Sequence, residues 1–115
     1  MNDSINLLKL AIKQRSPISF RYTLPGKNPG QRVGNPHALF FKDSYRRDEE
    51  IKIDLYQTSG VSDSEDRNGS NLPGWRLFRI DFIENIKILN LPTPFSVAPG
   101  YNPNSDRYLY SIEKI

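Results

Sequence analysis

Cysteine is absent from the chain. That excludes a disulfide framework, a thiolate nucleophile and Cys-ligated zinc or iron–sulfur centres, and it points to a reducing compartment. Histidine occurs once, as His37, so a histidine-rich metal site is excluded and any histidine-assisted nucleophile must use this residue. As a general base it would need a nearby hydroxyl and carboxylate, with Ser19 and Asp81 available only by composition. A packed or ligand-touching His37 beside Pro36 is the simpler expectation. No run of apolar residues approaches the ~18 of a membrane span. The first thirteen residues lack the apolar core and small-residue cleavage pattern of a secretory peptide. A cytoplasmic protein with no membrane partner is therefore expected. Phosphate-loop signals are missing too: Gly26-Lys27-Asn28-Pro29-Gly30 carries one Lys and no following helix, and reads as a turn. Neither acidic cluster, Asp48-Glu49-Glu50 or the carboxylates of residues 63–66, has calcium-loop spacing. No catalytic residue, metal or cofactor is assigned.

What remains is an ordinary globular composition, 37% hydrophobic and 25% charged over 115 residues, enough for a single domain spanning 1–115 with one modest core. Sixteen Lys and Arg against thirteen Asp and Glu leave a formal charge of +3. That mild bias permits polyanion binding without demanding it.

Ile5, Leu7, Leu8, Leu10, Ala11 and Ile12 recur at helical spacing behind the cap candidates Asp3 and Ser4, so a helix of about three turns should end before Pro17. Because a strand follows, no second recognition helix completes a helix-turn-helix. Ile18-Ser19-Phe20-Arg21-Tyr22-Thr23 alternates with period two and is rich in β formers. Residues 24–31 contain two Pro and two Gly and read as a connection. Strands are expected at 37–42 and 51–57 as a hairpin, at 75–81, at 86–89 and at 108–115. Residues 58–74 are dominated by Ser, Asp, Asn and Gly and predict a mobile arm, and a Pro-rich irregular segment covers 90–104. The expected fold class is mainly β with one N-terminal helix, a small, bent antiparallel barrel of SH3-like or Sm-like type. The alternative is an open α+β sheet with the helix packed on one face.

Chemistry concentrates in Trp75-Arg76-Leu77-Phe78-Arg79-Ile80-Asp81-Phe82-Ile83, where charged and apolar residues alternate. Arg32, Arg76 and Arg79 are the candidate anion grips, since guanidinium forks suit phosphate. Arg76 and Arg79 differ by three and face opposite sides of a regular strand, so only one should share a surface with Arg32. Arg79 and Asp81, two apart, could instead form a structural ion pair. Tyr22 and Tyr56 are candidate stacking platforms for bases, whereas Phe20 and Phe78 read as core. Trp75, at a strand start, suits either role. Ser19 and Arg21 share the face opposite Phe20 and become ligands if that face lines a groove.

The order of these signals resembles the WYL domain family. The anchors are Ile18-Ser19-Phe20-Arg21-Tyr22, then Arg32-Val33-Gly34-Asn35-Pro36 with His37-Ala38-Leu39, then Arg76-Leu77-Phe78-Arg79-Ile80-Asp81-Phe82-Ile83, spread over residues 5–90. Ile51-Lys52-Ile53 stands near the place of the tripeptide that names the family, and Phe82 replaces a family Arg. Tyr56-Gln57, Gly60, Trp75-Arg76, Phe95 and Gly100-Tyr101-Asn102-Pro103 look like a divergent branch of short stand-alone bacterial members. The resemblance implies an Sm-like barrel acting as a ligand-binding regulatory module, often for nucleic acid or nucleotides, in transcription control and phage defence.

Two functional expectations follow. In the first, a non-enzymatic module binds a nucleotide or single-stranded nucleic acid on a basic, aromatic-bordered face. In the second, the chain is a protein-interaction module that dimerises or joins a separate DNA-binding or effector protein.

Overall fold

The computed structural model describes residues 2–41, 50–62 and 72–115. They form one α-helix, α1 (Asn2–Gln14), and six strands: β1 (Ile18–Tyr22), β2 (Gln31–Phe41), β3 (Ile51–Gly60), β4 (Gly74–Arg79), β5 (Ile83–Ile88) and β6 (Tyr110–Lys114). All described pairings are antiparallel, in the order β4-β3-β2-β1-β5, with β6 added against β2. The fold is mainly β with one helix, as expected. The ladder is not closed into a barrel, because the end strands β4 and β5 do not pair with each other among the described residues.

Helix α1 stops where two signals coincide. Arg15 takes a left-handed φ of 54°, and Ser16 N–H reaches the Ala11 carbonyl at 2.9 Å while Arg15 N–H reaches Ile12 at 3.2 Å. These bonds satisfy terminal carbonyls as in a Schellman motif, and Pro17 then prevents continuation. The helix buries Leu8, Ala11 and Ile12 against the inner face of the sheet, on Ile18, Phe20, Tyr22, Leu39, Ile53, Leu55 and Phe78.

Strand β2 is the long member. It begins at Gln31 rather than in the high thirties, since Arg32, Gly34 and Pro36 continue the inner-face alternation behind Phe20 and Leu55. Its first half pairs with β1 and its second half with β6, and β3 runs along both. Strand β3 extends to Gly60, so Ser59 and Gly60 of the expected arm pair with Val33 and Arg32, and Thr58 is the extra residue of a bulge between them and Gln57. Residues 63–71, the rest of that segment's centre, lie outside the described residues, as do residues 42–49 of the expected hairpin connection.

The 75–83 stretch is two strands and a corner. A single 3-10 turn, Ile80–Phe82, carries the chain from β4 at one end of the sheet to β5 at the other. The corner is tied to β1: Tyr22 Oη accepts the Arg79 N–H at 3.0 Å, and Thr23 N–H donates to the Phe82 carbonyl at 2.8 Å. Asp81 is exposed in this turn and does not bridge to Arg79. The turn ends the strand alternation that would have put them on one face, and Arg79 Nε pairs instead with Glu50 at 2.6 Å.

Candidate functional site

The outer face of the sheet carries the polar and aromatic groups. On β3, Asp54 and Tyr56 alternate with the inner Ile53, Leu55 and Gln57, and Trp75 stands opposite Tyr56 in the ladder. Asp54 is 6% exposed, between the buried Ile53 and Leu55, so its carboxylate needs partners. Arg107 supplies a two-pronged pair, Nε to Oδ2 at 2.6 Å and Nη2 to Oδ1 at 2.8 Å, and Tyr108 Oη donates to Oδ2 at 2.8 Å. The bond to Asp54 holds the Arg107 guanidinium above its ordinary pKa, and burial with the same bond pushes the Tyr108 phenol up.

Above this triad opens a cavity of about 220 Å³ lined by Asp54, Trp75, Gly100, Tyr101, Arg107 and Tyr108. Trp75 and Tyr101 form its planar walls, 6.2 Å apart and inclined by 26°. Tyr56 packs edge-on behind Trp75 at 5.4 Å. Both wall residues are held from behind. The Trp75 indole N–H donates to the Pro99 carbonyl at 2.7 Å, and Tyr101 Oη donates to the Ile115 carbonyl at 3.2 Å. With Asp54 satisfied by three bonds and the ring hydroxyls engaged, the cavity offers flat apolar surface plus one half-exposed guanidinium, 47% accessible at its side chain.

The Pro-rich segment forms the cavity's outer wall without being a strand. It is pinned at Phe95, whose N–H meets the Arg15 carbonyl at 2.9 Å, and at Ala98, whose N–H donates to His37 Nε2 at 3.0 Å. His37 is fully buried among Trp75, Phe95 and Tyr101. Its Nδ1 lies 2.8 Å from the Asn35 carbonyl. Accepting at Nε2 requires the proton to sit on Nδ1, so the neutral ring is the one that fits. Burial lowers the His37 pKa, against the opposing pull of the Asn35 carbonyl. Both ring nitrogens are thus occupied by backbone groups.

The sequence candidates divide among three places. Arg32 is fully buried on the inner face, its guanidinium 5.6 Å from the Tyr22 ring centroid and 5.4 Å from that of Phe78, and it donates to the Asn28 carbonyl at 3.0 Å. Arg76 is the member of its pair that shares this face, opposite Leu55, and Arg79 faces outward opposite Lys52. Arg76 bonds Ser62 Oγ at 3.2 Å, and Asn28 bonds the Ser62 carbonyl at 2.8 Å, so both arginines belong to one polar end of the core. Ser19 and Tyr22 are buried as well. Tyr56 alone of the eight stands beside the cavity, His37 lies beneath its wall, and Arg21 is exposed elsewhere on the outer face.

Arg107 and Tyr108 carry no signal of their own in the sequence, and Tyr101 enters only through the resemblance carried by Gly100-Tyr101-Asn102-Pro103. Asp54 carries one signal: a lone carboxylate between Ile53 and Leu55 demands a cation, and any of sixteen could have answered. Compared with family models and with curated proteins, the chain matches none.

Proposed function

We propose that this chain is a non-enzymatic module of WYL type, built as an Sm-like barrel, that binds a nucleotide or single-stranded nucleic acid in the outer-face cavity. The barrel reading is supported by the strand order β4-β3-β2-β1-β5 and by the one-turn corner that joins the two end strands. The observation that carries the functional reading is the Arg107 guanidinium, fixed by Asp54 at the rim of a cavity walled by Trp75 and Tyr101. A base can stack on the walls, as every base presents a π-face. The orientation of Arg107 is set in advance, so its remaining donors meet a phosphate or a base edge at little entropic cost.

Trp75 is the chain's only tryptophan, so its emission reports on this cavity alone. Titration with nucleoside 5′-monophosphates should quench it saturably, more weakly as salt is raised. Arg107→Lys keeps the charge and loses the fork, and should weaken binding about tenfold, the equivalent of ~1.4 kcal/mol. Emission unchanged at millimolar nucleotide would sink the reading. A protein-interaction role is favoured by a different observation: β4 has a ladder partner on one side only among the described residues, and its Leu77 is 44% exposed. Concentration-dependent sedimentation insensitive to salt would support that role.

A further inference from the structure

A second place on the outer face carries unpaired positive charge. Strand β5 is bulged against β1: Ser19 pairs with Lys87 and Arg21 with Glu84, leaving Asn85 and Ile86 opposite Phe20 alone. Asn85 absorbs the extra residue with a left-handed φ of 56°. Bulges re-aim side chains and interrupt pairing. Here the interruption opens a groove of about 540 Å³ lined by Phe20, Arg21, Gln31, Asn85, Ile86 and Lys87. Arg21 sits between the buried Phe20 and Tyr22, so alternation turns it outward, onto the face that carries Tyr56 and Trp75. Arg21 and Lys87 are both exposed, and neither makes an ion pair or side-chain hydrogen bond among the described residues. Glu84 stands across the ladder from Arg21 without bridging to it. Two free cations and two exposed amides, Gln31 and Asn85, converge where a backbone ladder is open. That is a donor-rich surface for an anion with several acceptor oxygens.

We infer that this groove holds backbone phosphate of a single-stranded nucleic acid whose base occupies the cavity beside Arg107. The inference rests on the cavity reading for the base and adds the phosphate track and its length. The two places are joined by one strand. Gln31 lines the groove, and Ala38, seven residues further along β2, pairs with the Asp54 that floors the cavity. At ~3.3 Å per residue they are separated by roughly 23 Å along the strand. A mononucleotide cannot reach both. A strand of about four nucleotides, the lower end of small-domain site sizes, can.

The test compares oligothymidylates of one to eight nucleotides, read by Trp75 emission and by anisotropy of an end label. Affinity should rise with length and level off near four nucleotides. In the double variant Arg21→Ala/Lys87→Ala the octamer should bind no more tightly than the mononucleotide binds the unsubstituted protein. The slope of log K against log salt should fall by about 1.4 for the two lost phosphate contacts. Glu84→Gln, which removes the carboxylate across the ladder from Arg21, should strengthen octamer binding several-fold, an effect that a purely structural role for these residues would not produce. Unchanged length dependence and salt slope in the double variant, with an unchanged thermal midpoint, would overturn the groove assignment. If mononucleotides leave Trp75 emission unaltered yet the double variant still weakens octamer binding, the groove stands and the cavity reading falls. Inorganic phosphate alone serves as the control for source: competition at sub-millimolar concentration would assign the groove to free phosphate and overturn the strand.

Discussion

Arg32 is buried at 0% exposure, and two aromatic faces and the Asn28 carbonyl offset part of the cost of burying its guanidinium. Its truncation leaves a cavity between Tyr22 and Phe78 and removes the cation–π contacts. Arg32→Ala should therefore lower unfolding free energy by about 3 kcal/mol, read from urea denaturation. The sequence reading placed Arg32 on a binding surface, where alanine would be thermally silent. Its neighbours Gln31, Val33 and Asn35 show why: polar and apolar residues are mixed there, and only the pairing of Arg32 opposite Phe20 turns it into the core. His37 makes the complementary case. The folded state keeps it neutral, with a pKa lowered from 6.5 by burial and by Arg15, while Asp54 and the Asn35 carbonyl pull the other way. The unfolded chain takes up that proton near pH 6.5 and the folded one only at lower pH. The stability that His37 contributes is therefore complete above about 6.5 and declines as pH falls toward the folded value. His37→Phe should flatten this part of the pH profile. It should also cost about 2 kcal/mol, because the Ala98 N–H loses its acceptor.

At the scale of elements, periodicity located α1, β1 and β3, where one face is apolar over several residues, and the start of β4, where charged and apolar residues alternate. It missed the first six residues of β2, Gln31 to Pro36, which the expected strand at 37–42 left out. Gly34 is a place of close approach. A Cβ there would meet the Leu55 side chain, the Tyr56 carbonyl at 2.8 Å and Gln57 Cα at 2.9 Å. Gly34→Ala should push β2 off β3 and destabilise the fold by about 2 kcal/mol or more, measured by thermal unfolding. Residues 90–104 contain no helix or strand. What the prolines there could not reveal is that the segment is anchored, because the anchors are a histidine and a tryptophan from distant strands. Trp75→Phe keeps the ring and removes the indole bond to Pro99. Protease cleavage within 96–100 should accelerate severalfold while global stability changes by no more than about 1 kcal/mol. Equal cleavage rates would show that His37 and Phe95 suffice to hold the segment.

Over the whole molecule the assignment of faces depends on which strands meet, and sequence order conceals that. Strand β2 serves two sets of neighbours, and β6, last in the chain, completes the second set at Ala38–Phe41. The same pairing brings Ile112 and Ile115 onto the core and the Ile115 carbonyl under the Tyr101 hydroxyl, one wall of the cavity. Ile115 N–H also closes on the His37 carbonyl at 3.0 Å. The site is thus assembled from β3, β4, the 90–104 segment and the 3-10 turn Asp106–Tyr108, and local reading could name its members only singly. A chain ending at Leu109 tests this dependence. It would leave one side of Ala38–Phe41 unpaired and release Tyr101, while β1 to β5 keep every ladder bond among themselves. If the inner core is autonomous, unfolding should stay cooperative, with a midpoint lowered by several degrees and Trp75 emission shifted red as its pocket takes on water. If β6 instead nucleates the second half of the sheet, cooperativity should be lost and the chain should aggregate through the exposed β2 edge. Because Ile112 and Ile115 only flank the central cluster of Leu8, Phe20, Leu39, Ile53 and Phe78, the first outcome is expected: a folded protein whose cavity is open and whose nucleotide-dependent quenching is gone.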